Sequence, residues 1–146
     1  MYLNEKPSEM LAVLATIDPV SQGAGTVTTG WVDAGLFFTV LAILQTGVMG
    51  ASATLDAKLQ QATDNAGTGA KDITGRAIVQ ILKASGDNKQ ALINLKGADL
   101  DVEGGFRFVR LSVTDGVAAS LISAILLGCM PRYAPPSNQA GTVQVV

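Results

Sequence analysis

The chain has 146 residues, which is enough for one domain with a sizeable core. Apolar residues make up 48% of it and charged residues only 15%, below the roughly 25% of an average soluble domain, so we expect surface to be buried against partners. A net charge of −2 and scattered lysines and arginines argue against a nucleic-acid binder, which must neutralise phosphates. The sequence contains no histidine and therefore lacks the commonest general base and metal ligand.

Residues 1–8 are predicted to be a polar arm, and the N-terminus lacks the apolar core after a basic start that is typical of a signal peptide. Residues 10–17 are a short apolar run that we expect to end at the turn signal Asp18-Pro19. β-branched residues around Trp31 predict a strand over residues 26–32. Trp31 itself is assigned to the core or an interface rather than to a ligand platform.

Residues 34–55 contain no charged side chain, which raises the question of a membrane span. Their glycines, threonines and strand-like second part favour two β-strands around a glycine-rich turn at residues 47–50. Residues 36–44 are apolar on both faces of any strand drawn through them. Such a strand lies either between two layers of its own domain or under a neighbouring subunit.

Residues 53–60 show the clearest pattern of the chain, with apolar and polar side chains in strict alternation. This pattern predicts a half-exposed antiparallel strand. One face carries Ala53, Leu55, Ala57 and Leu59, and the other carries Thr54, Asp56, Lys58 and Gln60.

The next segments predict shorter elements. Residues 72–74 fit a short edge strand, residues 76–83 favour a strand over a short helix, and residues 90–96 alternate as a strand.

We expect residues 106–133 to form the centre of the fold. An alternating run over 107–113 leads to the dipeptide Asp115-Gly116, which tight hairpins favour, and an almost uncharged run continues from Val117 to Met130. These two apolar strands are predicted to be joined as a hairpin at the middle of a sheet. Beyond Pro131, residues 132–146 show no core pattern and are read as an extended arm, free in solution or laid on a neighbour.

Eight or nine short strands with at most one short helix are typical of an all-β fold, an antiparallel β-sandwich or jelly-roll-like domain. The predicted organisation is an N-terminal arm over 1–8, a sandwich domain over 9–131 and an extended C-terminal arm over 132–146.

The search for chemistry finds no catalytic, cofactor or metal site, so we expect no enzyme. Asp99, Asp101 and Glu103 resemble the start of a calcium loop, but Arg110 stands where that loop needs its bidentate glutamate. A solvated acidic loop is the preferred interpretation. The single cysteine, Cys129, cannot form an internal disulfide, and its apolar neighbours predict a buried thiol.

The order of four segments resembles small virion proteins encoded beside the capsid gene of tailed bacteriophages. The resemblance covers roughly residues 34–136, and none of its motifs is catalytic. The segments are SATLDAKLQQATD at 52–64, DITGRAIVQ at 72–80, GGFRFVRLSVTDG at 104–116 and LLGCMPRYAPP at 126–136.

The resemblance implies a capsid decoration or cement protein, on the outer surface of a virion and made in the host cytoplasm. Its partners would be the major capsid protein and further copies of itself, in a homotrimer for instance, without nucleic acid or membrane. Two alternatives stay open: a neck, tail or fibre component, or a glycan-binding β-sandwich module using exposed aromatics such as Tyr2, Trp31 and Tyr133. Candidate interface residues are Leu36, Phe37, Phe38, Arg107, Arg110, Arg132 and Tyr133.

Overall fold

A computed structural model describes residues 4–146 of the chain. Ten strands carry most of the ordered structure, with two short α-helices and two 3-10 turns between them. The strands are β1 (Leu11–Gln22), β2 (Gly25–Thr28), β3 (Val32–Asp33), β4 (Phe37–Met49), β5 (Thr54–Ala62), β6 (Lys71–Ala77), β7 (Ile81–Leu82), β8 (Gln90–Lys96), β9 (Phe108–Gly116) and β10 (Ser120–Pro131). The helices are α1 (Pro7–Met10) and α2 (Lys83–Gly86), and the 3-10 turns are Ala34–Leu36 and Gly97–Asp99.

The strands form two antiparallel sheets that pack face to face as a β-sandwich, which confirms the predicted fold class. Sheet A has the order β1-β10-β4-β8. Sheet B has the order β2-β9-β5-β6, with β3 also paired to β9 and β7 to β5. All pairings in both sheets are antiparallel.

The core lies between the two sheets and is filled by small aliphatic side chains from alternate strand positions. Sheet A contributes a layer centred on Ala42, Leu44 and Leu126, and sheet B a layer centred on Leu59 and Leu111, all almost fully buried. The predicted alternation over residues 53–60 is confirmed, because the apolar set is buried and the polar set is partly exposed. The structure confirms two strands, β4 and β5, for the uncharged stretch. The turn predicted at residues 47–50 is wrong, because pairing with β10 keeps β4 extended to Met49 and the chain turns at residues 50–53.

The predicted hairpin between β9 and β10 is wrong, although each strand does lie in the interior of a sheet. Asp115 and Gly116 belong to β9, where they pair with Leu55 and Thr54 of β5. The reversal falls one residue later, at Val117, which has a φ of 73°. The chain there crosses from sheet B to sheet A, so that β9 and β10 face each other across the core instead of pairing.

Two further predicted boundaries are also wrong. β1 does not stop at Asp18-Pro19 but continues to Gln22, with a register shift between Ile17 and Val20. Proline is tolerated there because β1 is an edge strand, whose outward N–H groups make no ladder bond. The strand expected over residues 76–83 divides into the end of β6, the two-residue β7 and the start of α2.

Both terminal segments differ from simple extended arms where they are described. Residues 7–10 form helix α1, and residues 1–3 of the predicted N-terminal arm lie outside the described part of the chain. Residues 132–146 contain no helix or strand, but they turn back onto their own chain. Val13 of β1 donates its N–H to Asn138 Oδ1 at 2.8 Å and accepts from the Gln139 N–H at 2.8 Å.

Candidate interaction surfaces

The outer face of sheet A, which points away from the core, is the main candidate site. It consists of the strand positions that alternate with the buried ones, and cross-strand pairing arranges these in rows. Three rows cross its middle: Val13, Leu127, Leu41 and Asn94; Thr16, Ile125, Ile43 and Leu92; and Ser123, Gln45 and Gln90. None of these side chains is charged, and six of the eleven are aliphatic.

This apolar face is uncovered within residues 4–146. Leu92 is 59% exposed and Ile125 is 40% exposed, while Leu41, Ile43 and Leu127 are half-buried by their neighbours in the same sheet. A row of aliphatic side chains in water is unfavourable, by about 25 cal/mol for each Å² left exposed. The outer face of sheet A is therefore suited to burial against another surface.

The outer face of sheet B is polar by contrast. Lys58 of β5 pairs with Asp72 of β6 at 2.7 Å, and Gln60 Nε2 donates to the same carboxylate at 2.8 Å. On the neighbouring strands, the Thr26 and Thr114 hydroxyls are hydrogen-bonded at 2.8 Å. The outer faces of the two sheets thus differ in polarity.

The predicted interface candidates fall into three separate places. Phe37 is only 5% exposed: its ring occupies the space beside Gly128, so it belongs to the interior and is not available to a partner. Leu36 and Phe38, on either side of it, are about half exposed.

Arg132 and Tyr133 lie beside these exposed side chains, at one end of the sandwich. Arg132 Nε donates to the Gly35 carbonyl at 2.7 Å, and its guanidinium lies 4.7 Å from the centre of the Phe38 ring. Tyr133 is 81% exposed. Leu36 and Tyr133 line one groove at this end, and Phe38 and Arg132 line a second groove.

Arg107 and Arg110 make contacts within the chain. Arg107 forms an ion pair with Asp33, and the carboxylate raises the pKa of the guanidinium further above its usual value. Arg110 Nε donates to Gln60 Oε1 at 2.9 Å, and its guanidinium lies 4.5 Å from the centre of the Trp31 ring. Both arginines therefore hold loops and strands of sheet B in place.

Trp31 is half-buried and enclosed. Besides Arg110 on its ring, Gly67 approaches so closely that a Cβ there would lie 2.5 Å from the indole Nε1. Sugar-binding sites use an open aromatic face against the ring of the sugar. Arg110 lies over the Trp31 ring, and Tyr2 lies outside the described residues.

An apolar groove of about 420 Å³ lies between the body of the sandwich and residues 133–139. Its walls are Leu14, Leu36, Pro131, Tyr133 and Pro135, among others. The groove exists because the C-terminal segment bridges from Arg132 to Asn138 without packing tightly on β1. Its lining also includes Asp33, Ser137, Asn138 and Gln139, of which Asp33 is paired with Arg107 while Asn138 and Gln139 bind Val13 of β1.

The acidic loop is neutralised by cations from neighbouring strands. Asp99 pairs with Arg76 at 2.8 Å and Asp101 with Lys71 at 2.5 Å, and these hydrogen bonds lower the pKa of both carboxyl groups. Within residues 4–146 no group of three potential metal ligands converges. Cys129 is half-buried, and burial raises the pKa of its thiol above the usual value. None of the helices in this part of the chain is long and apolar enough to cross a membrane.

Sequence reasoning found only one strand of the main candidate surface. Residues 36–44 indicated an apolar outer face on β4, but Leu92 of β8 and Ile125 of β10 were not singled out. Their signal was present in the alternation of residues 90–96 and in the lack of charge after Val117. What was missing was the pairing that sets these strands on either side of β4.

Comparisons with known proteins give only distant similarities. No protein-family model matches the chain, and no curated protein matches it. Solved structures that are similar in fold include xylanase 10C (mutant E385A) from Cellvibrio japonicus in complex with xylopentaose, at 12% identity and a TM-score of 0.37. Two others are virus structures. Infectious bursal disease virus strain Gx has 11% identity and a TM-score of 0.36. The cowpea mosaic virus top component, a naturally occurring empty particle, has 10% identity and a TM-score of 0.37.

The extent of these matches differs. They cover 86%, 85% and 90% of this chain, in the same order. The chain spans 28% of the xylanase and 32% of the bursal disease virus protein, but 93% of the cowpea mosaic virus protein. At such low identity and with TM-scores below 0.5, these similarities carry no activity, ligand or partner over to this chain.

Proposed function

We propose that this chain is a non-enzymatic structural protein of a tailed-phage virion, a decoration or cement protein that binds the outside of the shell. Its main partner would be the major capsid protein, and its place the capsid surface after synthesis in the host cytoplasm. It would need no cofactor. The single observation that carries the proposal is the outer face of sheet A, which is uncovered within residues 4–146 and uncharged across its three middle rows, the next row ending at Lys96.

The size of that face fits an attachment surface. Four strands at about 4.8 Å spacing and some eight residues along β10 give an area on the order of 500 Å². Burying about 400 Å² of apolar surface would contribute on the order of 10 kcal/mol, before the costs of association. Those costs cancel much of this for one contact, but many identical sites on a shell would add avidity.

The resemblance of residues 34–136 to phage virion proteins supports the choice of partner. A cement protein needs no active site. It needs a surface that prefers protein to water, and the three middle rows of sheet A provide one without charges that would have to be desolvated.

The glycan-binding alternative finds less support. Arg110 and Gly67 enclose Trp31, and the polar groups of sheet B are largely satisfied by ion pairs and hydrogen bonds within the chain. A neck, tail or fibre subunit would use the same apolar surface and differs in copy number. The copy number of the chain in purified particles distinguishes that alternative from a decoration protein.

The first experiment is a binding assay on purified shells that lack this protein, using the variant Ile125→Asp. A carboxylate at the centre of the outer face would be buried without a counter-charge, at about 3–5 kcal/mol, so affinity for the shell should fall more than a hundredfold. The matched control is Thr26→Asp, which puts the same charge on the exposed outer face of sheet B and should bind normally. Equal binding by both variants would exclude sheet A as the attachment surface.

The second experiment measures the copy number of the chain in particles, relative to the major capsid protein. Hundreds of copies in a simple ratio would support a shell decoration protein. A dozen copies or fewer would assign the chain to the neck, tail or fibre, and absence from the particle would end the structural proposal.

A further inference from the structure

The two edge strands of sheet A, β1 and β8, differ in whether their outward backbone groups are hydrogen-bonded. At the β1 edge, Asn138 and Gln139 bind the outward N–H and C=O of Val13, so the C-terminal segment covers part of this edge. Gln139 Nε2 also donates to Thr16 Oγ1 at 3.4 Å. An edge covered in this way is protected from pairing with other strands.

The β8 edge is open along its middle. Lys89 accepts from the Thr46 N–H of β4, whereas Lys96 donates its N–H to Asp99 on the other side. Because backbone groups of an antiparallel strand alternate in direction, the N–H and C=O of Leu92 and Asn94 point away from β4. Within residues 4–146, neither residue has a backbone partner at this edge.

Residues 141–146 have the composition of a strand but pair with no strand of the described chain, and Thr142 makes a turn by donating its N–H to the Gln139 carbonyl at 3.0 Å. Their sequence, GTVQVV, is uncharged and rich in β-branched side chains, which favour extended structure. Val143 is 96% exposed and Val145 57% exposed. A segment of this kind is suited to strand addition at an open sheet edge, where main-chain hydrogen bonds provide affinity.

This segment cannot reach the β8 edge of its own molecule. Gln139 is bound beside β1, and a strand added beyond β8 would lie about 24 Å away across the sheet. The chain from Gln139 to Val143 spans at most about 14 Å when fully extended. The β8 edge it can pair with therefore belongs to another copy.

We propose that residues 141–146 of one copy add a strand to the β8 edge of a second copy. Val143 then continues the apolar row that ends at Leu92, which is 59% exposed. The contact is head-to-tail, because it joins the β1 side of one molecule to the β8 side of the next. Contacts of this type close into rings when the rotation permits, and otherwise form filaments.

The test uses free protein without shells, so its result is independent of whether the chain decorates a capsid. Asn94→Pro removes the outward N–H of β8 and blocks strand addition, while the pairing of β8 with β4 is kept. Asn94→Ala is the matched control, since it keeps the N–H. In sedimentation analysis we expect wild type and Asn94→Ala to self-associate, and the association constant of Asn94→Pro to fall at least tenfold. A wild type that stays monomeric, or an Asn94→Pro variant that associates like wild type, would overturn the proposal.

A disulfide trap tests the contact directly. In a Cys129→Ser background, Leu92→Cys and Val143→Cys proteins are mixed and oxidised, and the product that links the two different chains is measured. Residues opposite each other on paired strands lie about 4.5–5.5 Å apart, which a disulfide can bridge. We expect the mixed product to exceed that from Thr26→Cys with Val143→Cys, in which the first cysteine lies on sheet B. Equal yields would contradict the assigned edge.

Discussion

At the residue scale, Phe37 and Gly128 show how a glycine, which has no side chain, leaves space for the side chain of a residue beside it. The ring of Phe37 lies over Gly128 of β10, so that a Cβ at this position would be 2.6 Å from ring carbons. Phe37 is therefore buried, whereas Phe38, the next residue, is exposed. Sequence alone could not distinguish these two phenylalanines, because the glycine that accommodates one of them is 91 positions away in the chain.

Gly128→Ala is expected to destabilise the sandwich by about 1–3 kcal/mol, because the added methyl group must displace the Phe37 ring. The measurement is the free energy of unfolding from urea denaturation. The control is Gly23→Ala, where no atom lies within 4 Å of the added Cβ and no change is expected. Equal stability of the two variants would show that Phe37 does not rely on this space.

Asp115 is a second residue whose environment the sequence did not reveal. It is 1% exposed; Oδ1 accepts from Ser120 Oγ at 3.2 Å, and Oδ2 has no partner. Burial raises the pKa of this carboxyl group above the usual 3.8, although hydrogen bonds from Ser120 and Gly116 oppose the effect. The folded state thus holds this proton more tightly than the unfolded state does.

The raised pKa has a defined consequence for stability. The contribution of Asp115 is most favourable below pH 3.8 and is lost as the pH rises from there through the raised pKa of the folded state. Asp115→Asn removes the titration, and it should stabilise the protein relative to wild type at neutral pH, because the neutral amide carries no charge for burial to penalise.

The measurement is the difference in unfolding free energy between wild type and Asp115→Asn across a pH series. The difference isolates Asp115 from carboxyl groups such as Asp72 and Asp99, whose pKa values are lowered and whose contributions have the opposite sign. A difference that does not change with pH would contradict the assigned direction.

At the element scale, β4 answers the question that its sequence left open. A strand that is apolar on both faces lies either between two layers or under a neighbouring subunit. In β4, one face packs in the core and the other lies on the outer face of sheet A. Val40, Ala42 and Leu44 face the core, while Leu41 and Ile43 lie on the outer face of sheet A. The second layer over β4 is therefore absent from the described chain, and we propose that the shell supplies it.

The C-terminal segment is an element that depends on very few contacts. Asn138→Ala removes the acceptor of the Val13 N–H, so we expect the Val13 amide to exchange its hydrogen with solvent much faster. Overall stability should fall by no more than about 1.5 kcal/mol, the usual contribution of one hydrogen bond. Amide exchange followed by NMR measures both the exchange rate of the Val13 amide and the overall stability. Gln144→Ala in the exposed tail is the control. Unchanged protection of Val13 would show that the segment is not held at this edge.

At the scale of the whole molecule, the two outer faces differ in polarity, which should be detectable in the free protein. Dyes such as anilinonaphthalene sulfonate fluoresce on exposed apolar surface. We expect the native chain to bind such a dye, and Ile125→Gln to reduce the emission while Thr26→Gln leaves it unchanged. Emission that is insensitive to Ile125→Gln would mean that the dye, and by extension a partner, prefers another surface.

The sequence by itself determined the features that depend on neighbouring residues. Strict alternation over residues 53–60 predicted β5 and its buried face, and turn signals between short β-branched runs predicted an all-β sandwich. Composition predicted a surface poor in charge. These features follow from local periodicity and from the balance of apolar and polar side chains, both of which can be read within a short window.

Only the tertiary structure decided which strands are neighbours. Asp115-Gly116 looked like a hairpin turn, but pairing with β5 keeps both residues in a strand, and β10 joins the opposite sheet. The outer face of sheet A exists because β1, β10, β4 and β8 come together from distant parts of the chain. Pairing of this kind depends on long-range burial and on the path of the crossover, so no single segment encodes it.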